Sequence, residues 1–180
     1  MAFLDPNKVL KELNLKQDLV AADFGCGSGG WVIPLAQILK DGKVYAIDIL
    51  EEPLSALRSK MKTFKISNIE FVKADIEKSS KLFDNSCNLV LMTNLLFEVD
   101  NINNVLEEGK RILKDKGQLL IVDWQAGSNL GPVEKISVDD IKQAAEKIGF
   151  QFKKEFKAGI YHWGLILIKT RNDSLTAFGK

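Results

Sequence analysis

The sequence predicts an α/β fold: a doubly wound, mostly parallel seven-stranded sheet that ends in an antiparallel hairpin. Three observations predict it. Apolar runs of strand length alternate with segments of helical period up to Ile148. A glycine-dense turn, Gly25 to Gly30, joins the first of those strands directly to a helix. Beyond Ile148 the alternation gives way to two strand-like stretches separated by Gly159, too close together for a helical crossover.

Asp5 and Pro6 open a short leading helix as N-cap and first helical residue, with Val9, Leu10 and Leu13 on one face. Leu19 to Phe24 is the first strand. Trp31 to Lys40 is a helix apolar nearly all round, and Pro34 is tolerated because it lies in the first turn. Asp41 and Gly42 punctuate, and Lys43 to Ile49 is the second strand, with Asp48 near its end. After Pro53, residues Leu54, Leu57, Met61 and Phe64 recur at helical spacing, and Ile69 to Asp75 is the third strand. Strand and helix are thus expected to alternate strictly, five βα units in all. Asn88 to Asn94 is the fourth strand. Ile102 to Leu113 is a helix whose stripe includes Gly109, allowing close approach to the sheet. Gly117 to Trp124 is a fifth strand, apolar throughout as a strand covered on both faces should be. Ser137 caps a helix with Ile141, Ala144, Ala145 and Ile148 on one side, and Gly149 stops it. Phe150 to Lys157 and Tyr161 to Lys169 form the hairpin.

At 180 residues the chain suits one domain, expected over residues 1–170, with 171–180 a loose tail. A net charge of +1 with interspersed signs offers no field to gather nucleic acid, so a small-molecule partner is expected. The two cysteines, Cys26 and Cys87, form no Cys-x-x-Cys pair, which argues against a disulfide framework or a metal site and suits a reducing cytoplasm. The N-terminus has no leader pattern, and no apolar stretch reaches membrane-spanning length. A homo-oligomer stays open.

The glycine turn carries most of the functional information. A glycine there permits left-handed backbone and close approach, and the following helix aims unpaired N–H groups above the turn. Gly25-x-Gly27-x-x-Gly30 fits a dinucleotide fingerprint, and Gly25-x-Gly27-x-Gly29 fits equally well. Asp23, two residues upstream, separates the readings. A carboxylate repels a pyrophosphate and favours a ligand bearing an ammonium group, which points away from NAD and towards S-adenosylmethionine.

The order Asp23-Phe-Gly-Cys-Gly-Ser-Gly29, Asp48, Asp75 and Asn94 closing successive strands, and a terminal hairpin resembles the class I S-adenosylmethionine-dependent methyltransferases over Leu4 to Lys169. The stretches Asn94-Leu-Leu-Phe-Glu-Val-Asp100, Gly109-Lys-Arg-Ile-Leu-Lys and Val122-Asp-Trp124 are similar to small, cap-free quinone-biosynthesis-type members with a Rossmann-like sheet. The resemblance implies that Gly25, Gly27 and Gly29 line the methionine part of the cofactor, with Asp23 near its amino group. It implies Asp48 on the ribose hydroxyls, Ile49 and Ile76 flanking the adenine, Asp75 at the adenine amino group, and Asn94 at the sulfonium end. Where many relatives carry a histidine after Asn-x-Leu, this chain has Phe97. Candidate bases for the acceptor's proton are therefore Asp123, Glu98, Tyr161 and His162, the only histidine. Trp31 and Trp124 are candidate pocket walls, and Gln125 to Ile136, read as the longest unstructured connection, is a candidate lid. Two other readings are carried: an NAD-dependent oxidoreductase, and a cofactor-binding module that acts with a macromolecular partner. The oxidoreductase leaves Asp23 and the hairpin unexplained.

Overall fold

The computed structural model describes residues 3–170. The strands are β1 (Val20–Phe24), β2 (Lys43–Asp48), β3 (Ile69–Lys73), β4 (Cys87–Thr93), β5 (Leu113–Trp124), β6 (Phe150–Lys157) and β7 (His162–Lys169). They form one sheet in the order β3-β2-β1-β4-β5-β7-β6. The first five run parallel; β7 is antiparallel to both β5 and β6. The strand order turns back between β1 and β4, the place where such sheets open a crevice at their carboxyl ends.

The helices are α1 (Pro6–Leu10), α2 (Val32–Ile38), α3 (Glu51–Thr63), α4 (Ile102–Ile112) and α5 (Val138–Ile148). Alternate residues of each strand feed two cores. Ala21, Val44 and Leu91 pack with Leu10, Leu35 and Leu57 of the first three helices. Phe24, Val90 and Ile121 pack with Leu106 and Ile141 of the last two. Caps set the ends as local chemistry dictates: Asp5 accepts from the Asn7 amide at 3.1 Å, Asn101 from Asn104 at 3.3 Å, and Ser137 from Asp139 at 3.2 Å. Gly109 lies on the inner face of α4, where a Cβ would sit 2.7 Å from the Met92 methyl, so the sheet comes as near as the sequence suggests.

Several boundaries differ from the sequence reading. α3 begins at Glu51, before Pro53, because the third helical position needs no amide partner and Glu51 and Glu52 suit the positive helix end. Phe64 consequently falls at the cap and is exposed. α2 stops at Ile38, and the Asn68 side chain satisfies the freed carbonyls of Ala36 and Leu39 at 3.0 and 2.7 Å. β5 starts at Leu113, and a register shift passes Lys116, whose φ is +61°.

The strict alternation also fails once. No helix joins β3 to β4; residues 74–86 cross as turns, a link as long as 125–137. Arg111 of α4 holds that link in a helix's stead. Its guanidinium donates to Glu108 at 2.7 Å, to the Leu82 carbonyl at 2.9 Å and to Asp84 at 2.5 Å. Glu108 also accepts from the Ser80 amide at 2.6 Å. The tail predicted at 171–180 lies outside the described residues. Among the described residues no helix is long and apolar enough to cross a membrane.

Candidate functional site

A cleft of about 480 Å³ opens over the carboxyl ends of β1, β2, β3 and β4. Its upper wall is the turn after β1. Gly25 and Gly27 have φ of +64° and +51°, and a Cβ on Gly25 would meet Leu95 at 2.6 Å, so the sequence needs glycine there for both conformation and space. Gly27 has nothing within 4 Å of its Cβ position and faces the open cleft. Gly29 lies differently: it is buried against α3, where a Cβ would come within 2.2 Å of Leu57. The turn is pinned from below by Cys26 N–H on Ile47 O at 2.9 Å and from the side by Lys60 Nζ on Ser28 O at 2.9 Å.

Asp48 closes β2 beside this turn. One oxygen accepts the Gly27 amide at 2.9 Å and the other the Leu50 amide at 2.9 Å. A carboxylate has about four acceptor positions, so two stay available to hydroxyls in the cleft. Ile49 is exposed on one side and Ile76 is buried on the other, both lining the cleft. Asp75 accepts the Glu77 amide at 3.1 Å and pairs with Lys78 at 2.8 Å, and the Lys78 hydrogen bond holds its carboxyl below the usual range. Lys78 is exposed, so a ligand competes with it at little cost. Asn94, at φ +51°, donates its amide to Val122 O at 2.8 Å, while its buried Oδ1 has no hydrogen-bond partner.

Asp23 is 0% exposed, and neither carboxylate oxygen has a partner. Burial first and the charge of Asp48 second push its carboxyl up to about 8. It does not line the cleft, so it acts on a ligand there through the glycine turn, and only as its carboxyl ionises.

The candidate bases are not gathered together. Glu98 lines the cleft and is exposed. Asp123 is buried and accepts the Trp124 and Leu96 amides at 2.8 and 3.3 Å, with burial pushing its carboxyl up to about 6. His162 and Tyr161 belong to a ring cluster at the neighbouring end of β7. Trp31 is on the cleft wall, whereas Trp124 is in that ring cluster. Sequence reasoning missed Glu77, which accepts the Asp100 and Asn101 amides at 3.1 and 2.7 Å and fastens the floor of the cleft to the start of α4. Glu77 lies in the 74–86 link and its partners lie more than twenty residues downstream at the start of α4, so no local signal announces the contact.

A larger hollow, about 900 Å³, lies at the opposite edge of the sheet among Asp84, Asn85, Lys110 and Lys169. Its buried cation is already satisfied: Lys169 donates to Asn85 at 2.8 Å and to Leu113 O at 2.6 Å.

The chain is similar to known proteins. Residues 15–162 match the family model described as "Methyltransferase domain". A demethylmenaquinone methyltransferase of Bacillus mycoides is 25% identical over 157 residues, covering 87% of this chain and 65% of that one. A probable cobalt-precorrin-6B C(15)-methyltransferase (decarboxylating) of Methanocaldococcus jannaschii is 38% identical over 66 residues, 37% of this chain and 35% of that one. This chain thus spans less than two thirds of either curated relative. The crystal structure of a SAM-dependent methyltransferase from Aquifex aeolicus superposes with a TM-score of 0.85 at 30% identity, covering 92% of this chain and 90% of that one. With most of its length inside the family model and a TM-score of 0.85 to a SAM-dependent methyltransferase at 30% identity, the chain belongs to the methyltransferase-domain family, in its class I S-adenosylmethionine-dependent branch.

Proposed function

We propose that this chain transfers the methyl group of S-adenosylmethionine to a small-molecule acceptor by in-line displacement. The observation that carries the reading is the pairing of an open left-handed glycine turn with Asp48: the carboxylate fixes the Gly27 amide and keeps acceptor capacity facing the cleft. The unpartnered Asn94 oxygen fits the same ligand, since it is a buried acceptor on the cleft that a cationic or N–H-bearing group would satisfy. The names of the curated relatives, acting on a quinone precursor and a precorrin, favour a small acceptor.

When bound, the cofactor supplies a methyl group on a sulfonium, already a good leaving group. The residues then have three tasks. Asp48 holds the ribose hydroxyls as a double acceptor, Asp75 takes the adenine amino group, and Ile49 and Ile76 bracket the base. Gly25 and Gly27 let main chain approach the methionine part, with Gly29 shaping the turn from behind, while Asp23, as it ionises, favours the ammonium. Asn94 and the Leu95 to Val99 turn border the place where the acceptor arrives. Alignment of acceptor and methyl is worth about 7 to 11 kcal/mol in well-oriented systems, so positioning does most of the catalysis. Glu98 is the base candidate that faces the cleft; Asp123 is engaged with backbone amides, which suits it to holding the Leu95 to Leu96 turn in place.

Calorimetry tests the reading. S-adenosylhomocysteine is expected to bind and NAD not to; tight NAD binding overturns the assignment. Asp48→Ala should weaken S-adenosylhomocysteine binding by about 1.5 to 3 kcal/mol, the scale of hydrogen bonds to a charged group. An unchanged affinity removes Asp48 from the site. Incubation with methyl-labelled cofactor and a cell extract should put label into small molecules; label in polymers, or none, refutes the acceptor class.

A further inference from the structure

His162 is 0% exposed, yet neither of its ring nitrogens has a hydrogen-bond partner. Burying an imidazole without satisfying either nitrogen costs free energy on the order of 1 to 3 kcal/mol per group, and folding offers no return for it here. Burial also lowers its pKa, so the ring is neutral and presents one N–H donor and one bare nitrogen acceptor. Its surroundings are flat and aromatic. Trp124, directly opposite in the β5 to β7 register, lies with its ring centroid 4.2 Å away. Phe3 covers the pair from outside, 5.7 Å from His162, 5.8 Å from Trp124 and 5.4 Å from Tyr161.

The cover is loosely held. Phe3 is 50% exposed, and its carbonyl accepts the Ile160 amide at 3.4 Å, a long bond. The rest of the box is fixed: Gln125 N–H on Tyr161 O at 2.8 Å, Trp163 Nε1 on Trp124 O at 3.0 Å, and Ala158 N–H on His162 O at 3.0 Å. Gly131 of the 125–136 loop rests on the Trp124 ring so closely that a Cβ would come within 2.4 Å. The box also stands beside the cleft. It sits at the carboxyl end of β5, next in the sheet to β4, and Asn94 is bonded to Val122, two residues before Trp124.

We infer that Trp124, Tyr161 and His162 form the acceptor's seat beneath Phe3, that the acceptor is a flat, largely apolar molecule bearing a hydroxyl or amino group hydrogen-bonded to His162, and that it enters by displacing Phe3. The inference rests on the cofactor occupying the adjoining cleft. Flat rings complement the Trp124 face, and a single polar substituent satisfies the orphaned imidazole. His162 acts here as an acceptor-binding residue.

The test uses the chain's only histidine as its own reporter. Nitrogen-15 spectra of the imidazole are recorded in tag-free protein with 1-naphthol and, separately, with naphthalene, each with and without saturating S-adenosylhomocysteine. 1-Naphthol is expected to move the His162 nitrogen resonances in the sense of hydrogen bonding, and naphthalene to leave them in place. His162→Phe should abolish the preference for 1-naphthol over naphthalene, a loss of about five- to tenfold in 1-naphthol affinity. His162→Gln, which keeps a polar group, covers the case in which the phenylalanine variant misfolds and should retain part of the preference. Phe3→Ala should tighten 1-naphthol binding about fivefold by removing the cover's competition. Unmoved nitrogens, or an undiminished preference in His162→Phe, overturn the seat. If S-adenosylhomocysteine binds while the nitrogens stay unmoved, the seat falls and the cofactor reading stands. If 1-naphthol moves them while S-adenosylhomocysteine does not bind, the box stands as a site for a flat ligand, while its role as a methyl acceptor's seat falls with the cofactor reading.

Discussion

Asp23→Asn is expected to raise the thermal midpoint of the ligand-free protein by roughly 10 °C at pH 9 and to leave it nearly unchanged at pH 5. The carboxyl of Asp23 is wholly buried without a partner, and burial together with Asp48 raises its pKa from 3.8 to about 8. Between those values the folded chain keeps a proton that the unfolded chain has released. Stability therefore falls as pH rises through that window and levels off above about 8, the opposite of a salt-bridged carboxylate. The full penalty is on the order of 5 kcal/mol, from which the unpaired asparagine amide subtracts about 1 to 3. Melting curves of both proteins from pH 5 to 9 check it; parallel profiles would mean that Asp23 is ionised and satisfied. Binding should respond in the reverse sense. Wild-type affinity for S-adenosylhomocysteine should climb between pH 6 and 8, as the carboxylate behind the glycine turn forms and favours the ammonium. The variant should bind weakly with a flat profile. A side chain that weakens the free fold and strengthens the complex is one retained for its ligand.

What the sequence discloses follows from how local each cause is. α5 is legible to the residue because Ser137, its apolar stripe and Gly149 each act within one turn of it. The hairpin is legible because β6 and β7 are adjacent in the chain. The cleft is legible too, since Gly25, Gly27, Asp48, Ile49, Asp75, Ile76 and Asn94 all follow directly on strands of a parallel sheet and so converge at one edge. Gly29 is the exception, because which side of a tight turn a residue faces depends on α3 packing behind it. The helixless crossover at 74–86 is not legible, since its anchor, Arg111, lies on another element some thirty residues downstream. Nor is the isolation of His162, which exists only once β5 and β7 pair.

That anchor gives the second large effect. Arg111→Leu should destabilise the fold by about 3 to 5 kcal/mol, because it strands a buried carboxylate. Glu108 is 8% exposed; burial alone would push its carboxyl up, and the hydrogen bonds from Arg111 and Ser80 outweigh that and hold it below the usual range. Asp84, the other carboxylate on the same guanidinium, is mostly exposed, so Asp84→Asn should cost under about 1 kcal/mol. Denaturant midpoints of the two variants measure the contrast; equal losses would show that the guanidinium's tie to Leu82 O, rather than Glu108, carries the energy. Acid sharpens the test. Wild-type stability from Glu108 is present above its unfolded pKa and is lost as pH falls through the lower folded one. In Arg111→Leu the buried carboxyl is raised, so protonation relieves it and the gap to wild type should narrow between pH 7 and 4.5. Arg111→Leu combined with Glu108→Leu should recover most of the loss at neutral pH, since removing both charges leaves only neutral groups, the Ser80 amide and the Leu82 carbonyl, without these partners. Because that network fixes residues 80 to 84 on one side while Glu77 fixes the cleft floor on the other, the single variant should also loosen the segment that carries Asp75 and Ile76, seen as faster amide exchange there and weaker S-adenosylhomocysteine binding.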